Sequence, residues 1–124
     1  MTLPGEPQPL TEEQLSVLRR FAELDADLET LLRALAGAFD IYFAPDVLYR
    51  TATNHFRIPD PGIPITRAHI ENALSLKREG RVSERDLVHW ATVILMNDAY
   101  EIDTTDQDLI AEWLNDISFH LGAS

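Results

Sequence analysis

The chain has 124 residues, no cysteine, and 21 acidic against 10 basic residues, a formal net charge of −11. That length fits one domain burying roughly 65% of the surface its unfolded chain exposes, and the missing cysteine excludes disulfides, thiolate metal sites and thiol nucleophiles. The carboxylate excess argues against direct contact with nucleic acid or an anionic membrane, both of which demand Lys or Arg against phosphate.

Pro4, Gly5, Pro7 and Pro9 predict an extended, poorly ordered lead-in over residues 1 to 9, with a single domain from 10 to 121. This opening has neither the basic nor the apolar segment of a secretion signal, and the longest wholly apolar run, Val93 to Met96, is far too short to cross a bilayer. The expected location is therefore the cytoplasm. Thr11 with Gln14 reads as a capping box, and Leu10 with Leu15 as its hydrophobic staple. A long helix should follow, lined by Leu15, Leu18, Ala22, Leu28, Leu31, Leu32 and Leu35, widened by Phe21, Leu24 and Phe39, and ending near Gly37 or Ala38. Asp25 and Asp27 are the natural place for a break, but the apolar stripe resumes in phase beyond them.

Residues 40 to 64 mix aromatic and β-branched residues with four prolines. Pro45 suits the first position of a short helix to about Thr51, with Tyr42, Phe43, Leu48, Tyr49 and Phe56 feeding the core. A two-stranded hairpin is the alternative. Pro59, Pro61, Gly62 and Pro64 predict a rigid turn. Thr66 then caps a helix whose staple is Ile65 with Ile70 and which ends at Gly80. Only Arg81 and Val82 separate that glycine from the next cap, Ser83, so residues 66–99 read as an antiparallel αα-hairpin. Its second arm, Val82 to Ala99, has the densest stripe in the chain: Leu87, Trp90, Ala91, Ile94, Leu95 and Ala99 recur at helical spacing, making this the predicted centre of the core. Tyr100 to Thr104 reads as a loop, and Thr105 as the cap of a last helix lined by Leu109, Ile110, Trp113, Leu114 and Ile117. The fold class expected is thus all-α: a compact bundle of four main helices and a short fifth.

The search for chemistry ends mostly in exclusions. His55, His69, His89 and His120 show no ligand spacing, so neither a metal nor any other cofactor is implied. The twelve residues Asn97 to Asp108 resemble a calcium loop in acidity but place Ile102 where the turn needs glycine and Asp108 where a bidentate Glu belongs. No nucleophile elbow, catalytic triad or phosphate loop occurs, and no catalytic residue is assigned. Lys77, Arg78, Arg81 and Arg85 read as a solvated hairpin tip paired with Glu79 and Glu84. What remains is charge: from Asp86 to Ser124 there is no Lys or Arg at all. Asp98, Tyr100, Glu101, Asp103, Asp106, Asp108 and Glu112 are therefore the candidate protein-binding residues, carboxylates that repel one another until a basic partner offsets them, with Tyr100 as aromatic anchor. Asp98 adds a misfit, being an anion at the negative end of a helix.

Ile65 to Ala91 resembles a helical hairpin of bacterial toxin immunity proteins, on the marks Ile65-Thr66, Ala73-Leu74, Gly80, Val82-Ser83, Leu87 and Trp90-Ala91. The match covers about a fifth of the chain. It implies a non-enzymatic cytosolic antidote that binds and blocks a cognate toxin, often a nuclease, and carries no toxin-contacting residue over to this chain. The alternative is a helical adaptor or regulatory module that recognises another protein through an apolar groove.

Overall fold

The computed structural model describes residues 7–43 and 50–123, the side chains of 43, 50 and 119–123 excepted. Along these residues run α1 (Glu12–Ala22), α2 (Leu28–Ala34), β1 (Phe39–Phe43), β2 (Arg50–Asn54), β3 (Ile63–Ile65), α3 (Arg67–Arg78), α4 (Glu84–Met96), β4 (Tyr100–Ile102) and α5 (Gln107–Ala123). The chain is mixed α and β, which corrects the all-helical expectation.

The first correction lies in β1 and β2, an antiparallel pair with Phe39 opposite Asn54 and Phe43 opposite Arg50. Period-two alternation governs here: Phe39 is buried and Ile41 half-buried, while Asp40 and Tyr42 face solvent. Aromatic and β-branched residues on a half-buried pleat outweigh the helix start that Pro45 offered. Of the expected short helix, Arg50 and Thr51 are strand, and 45–49 lie outside the described residues. Phe56 joins the core as expected, whereas Tyr42 is 55% exposed.

The second correction is the parallel pair of β3 and β4, with Ile63 opposite Tyr100 and Ile65 opposite Ile102, where a proline turn and a loop were expected. Ile63 and Ile65 point inward on either side of exposed Pro64. A two-stranded sheet is all edge, so proline's missing amide proton leaves no ladder bond unmade. Parallel strands need a long crossover, supplied by α3 and α4. Gly62 enters this pair at close range: a Cβ there would lie 3.0 Å from Glu101 Cβ and 3.1 Å from the Ala99 carbonyl oxygen, which already accepts the Ile63 amide. Gly62→Ala should therefore wedge β3 from β4 and cost about 1–2 kcal/mol. Urea unfolding checks this, and unchanged stability would mean that the strands yield freely.

The expected long N-terminal helix is two helices. Leu24 sits in the left-handed region at φ 59; its amide donates to the Phe21 carbonyl at 2.9 Å and that of Asp25 to the Arg20 carbonyl at 2.8 Å. This is the Schellman ending that Gly80, at φ 73, gives α3, whose following amides reach Lys77 and Leu76. A leucine there costs about 1–2 kcal/mol that glycine would not. Asp27 then caps α2, accepting the Thr30 amide at 2.8 Å. The break folds α2 back along α1, where Gln14 Nε2 donates to the Ala34 carbonyl at 3.2 Å and fully buries Leu31 and Leu35 beside Leu18. Gln14 also completes the expected capping box with Thr11. Of the lead-in, 1–6 lie outside the described residues; Gln8 accepts the Arg57 amide at 2.8 Å.

At the centre stands α4, begun as expected by Ser83, whose hydroxyl accepts the Asp86 amide at 3.1 Å. Leu87, Val88, Trp90, Ala91, Thr92, Val93 and Ile94 are all buried. That exceeds one stripe, and the helix is enclosed nearly all round. It ends at Met96, not Ala99. Its main partner is α5 rather than α3, so the 66–99 hairpin is a crossover more than a packed pair. A buried hydroxyl pair, Thr92 with Ser118 at 2.8 Å, links α4 to α5, and the Trp90 indole N–H donates to the Ala22 carbonyl of α1 at 3.2 Å.

Candidate protein-binding surface

The acidic run is positioned by the exit from α4. Asn97 turns the chain out of the helix, accepting the Ala99 amide on its own Oδ1 at 2.9 Å. Asn54, at the end of β2, clamps the same point twice: its Nδ2 donates to the Met96 carbonyl at 2.9 Å and its Oδ1 accepts the Asp98 amide at 3.0 Å. Asp98 is exposed two residues beyond the last helical one. Its conflict with the helix dipole is thus weaker than the sequence suggested, because that interaction fades beyond the last turn.

From there the carboxylates follow one continuous course. Glu101 points out from β4, its Oε2 accepting the Gly62 amide at 3.2 Å. Asp103 Oδ1 accepts the Thr105 amide at 3.3 Å and opens the 3-10 turn Thr104–Asp106, so Asp103 performs the capping expected of Thr105. Asp106 is half-buried, while Asp108 and Glu112 lie exposed one turn apart on α5. Asp116 continues that row another turn on, also exposed, a member that the i, i+4 spacing already contained. Like charges so spaced repel by a few tenths of a kcal/mol per pair. Among the described residues the ion pairs are Arg20–Asp25, Arg33–Glu29, Arg67–Glu71 and Arg81–Glu79, and none uses a carboxylate of 98–116.

Tyr100 is not an exposed anchor. Its hydroxyl donates to the Leu18 carbonyl at 2.6 Å, tying β4 to α1, and burial pushes the phenol pKa well above its ordinary value. A more accessible apolar group is Ile58, 58% exposed in the segment that leads to Gly62 and thus to Glu101. It was not singled out from the sequence, where an apolar residue outside any stripe is the only signal.

Among the described side chains, His55, His69 and His89 do not come together as a metal site. His69 Nδ1 accepts the Thr66 amide at 3.0 Å and so helps to start α3. Burial holds the pKa of His69 below its ordinary value, with Glu23 opposing; for His89 burial and then Arg85 do the same against Asp86. Trp90 is core, and Trp113 is half-buried under the Arg67 guanidinium, 5.9 Å from the ring centre. Among the described residues no three His, Asp or Glu converge as a metal site would require, and no helix is long and apolar enough to cross a membrane. Chemically the arrangement offers a run of exposed and half-exposed carboxylates along the exit of α4, β4 and the start of α5. Searches of family models, curated proteins and solved structures return no match.

Proposed function

We propose that this chain is a non-enzymatic protein inhibitor of the immunity type, which binds a basic partner, a bacterial toxin domain, through the ridge of Asp98, Glu101, Asp103, Asp106, Asp108 and Glu112. One observation carries the reading: these carboxylates follow one another along the exit of α4, β4 and the start of α5 with no ion-pair partner among the described residues. In the free protein they repel; against Lys and Arg of a partner the same charges attract, speed encounter and fix orientation. The resemblance of Ile65 to Ala91 supplies the class of partner and a cytoplasmic setting, and occlusion of the toxin's functional surface is the mechanism.

The test begins with the basic protein captured from host extract at low salt and then purified. Its association with the wild-type chain should slow by roughly tenfold or more between about 50 and 300 mM salt. The triple variant E101Q/D103N/D106N should slow it comparably at low salt, with melting unchanged. Gln and Asn keep acceptors for the Gly62 and Thr105 amides, so the fold survives while the charge goes. An association rate indifferent to both salt and the triple variant would sink the reading.

A second reading, a regulatory module that seats a partner's side chain, is favoured by a small hollow of 140 Å³ among Leu74, Leu87, Val88 and Ile117, rimmed by Lys77 and Asp116. A complex insensitive to the triple variant but lost on Leu74→Asp would support it instead.

A further inference from the structure

We propose that the cleft between the α1–α2 turn and the start of α4 is a second docking site, one that takes a lysine or arginine side chain presented by another polypeptide next to an apolar residue. The cleft is half open to solvent and has a volume of about 510 Å³. Its apolar surface comes from Leu24, Leu28 and Val82 over the buried Phe21, and its carboxylates are Asp25, Asp27, Glu29 and Asp86. A hydrocarbon stem ending in a cation matches both parts at once, since Lys and Arg lay their methylenes on apolar surface while the head stays polar.

Charge complementarity selects that occupant. Arg81, the cation in the lining, faces Glu79 at 3.7 Å. Arg20 approaches Asp25 at 3.5 Å and Arg33 meets Glu29 at 2.7 Å, but all four of these side chains are at least half exposed, so the pairs are weak and easily exchanged. Asp27, which accepts the Thr30 amide and feels the Arg33 charge, and Asp86, which acts on His89, form no ion pair with Lys or Arg among the described residues. The same exposure favours a polypeptide over a free amine: a small cation would leave these carboxylates in water, whereas a covering surface displaces the water and strengthens the attraction.

The site is separate from the acidic ridge. Cleft residues Asp86 and His89 lie in the first turns of α4, the ridge begins after its last, and a helix from Glu84 to Met96 is about 20 Å long. The proposal therefore does not rest on the reading above. The experiment titrates the ¹⁵N-labelled full chain with the capped pentapeptide Ala-Leu-Lys-Leu-Ala, its arginine counterpart, and a version with norleucine for lysine. The cationic peptides should shift the amides of 21–29 and 81–89, with norleucine binding about tenfold weaker and D25N/D86N weakening the cationic peptides about fivefold at unchanged melting temperature. Four results overturn the proposal: no shift in either segment, equal binding of the norleucine peptide, no effect of D25N/D86N, or pentylamine binding as tightly as the peptides. Shifts confined to 98–112 would also overturn it while favouring the acidic ridge.

Discussion

Alanine at Trp90 should cost about 3–5 kcal/mol and lower the melting temperature by roughly 10–20 °C. Trp90 is the largest of the fully buried side chains, 1% exposed, on the helix that α1, α2, α3 and α5 all touch. Truncation leaves a cavity that these elements cannot all close, and it strands the Ala22 carbonyl, which accepts the indole N–H at 3.2 Å. Against a typical total stability of about 5–15 kcal/mol, such a loss brings a domain of this size near the edge of folding at 37 °C. Trp90→Phe separates the two contributions: it fills most of the space but donates no hydrogen bond, and should cost about 1–3 kcal/mol. Urea unfolding of both variants is the measurement. A loss under about 1 kcal/mol for alanine would mean that the centre of the core lies elsewhere.

Asn54→Ala should cost about 2 kcal/mol and, more informatively, loosen the acidic ridge from a distance. One side-chain amide holds both the last carbonyl of α4 and the Asp98 amide, so its removal leaves a partly buried acceptor and an exposed donor unpaired together. The Asp98 amide should then exchange with solvent roughly 10–100 times faster, while amides within α4 keep most of their protection. Asn54→Asp keeps the acceptor for Asp98 but turns an anion toward the Met96 carbonyl, and should be no better than alanine. Unchanged exchange at Asp98 in both variants would show that the β3–β4 pairing alone fixes the exit. Asn54 thus gives the β1–β2 hairpin a part in the proposed binding surface although no residue of that hairpin belongs to it.

Three helix ends were legible because a side chain or glycine acts there on its own neighbours, whereas the Asp27 and Asp103 caps were not read. Thr11 with Gln14, Ser83 ahead of Asp86, and Gly80 after α3 behave as their chemistry dictates. The break at Leu24 was not legible, because the same C-terminal motif that glycine announces at position 80 is made there by leucine, and what compensates it is the distant packing of Leu31 and Leu35. The β3–β4 pair was illegible for a related reason. Three-residue strands are too short to show a period, Pro64 reads locally as a turn, and the partner lies across a two-helix crossover. At the candidate surface, charge could be read directly, since exposed carboxylates stay carboxylates in any fold. Individual duties could not: that Tyr100 is spent on the Leu18 carbonyl and Asp103 on the Thr105 amide follows only from where α1 and α5 come to rest.

Among the described residues each of the two small sheets has two strands, and the pairing of β3 with β4 leaves an outer edge of backbone donors and acceptors on both. Open edges are templates for pairing with another copy of the chain, and soluble proteins blunt them with proline or charge. Both devices are present: Pro64 interrupts the donors of β3, and Glu101, flanked by Asp98 and Asp103, charges β4 and its ends. The carboxylates assigned to a partner therefore serve the solitary protein as well, as guards against self-association. If the proposed function holds, the surface that recognises the partner is also the one that keeps copies of the chain apart.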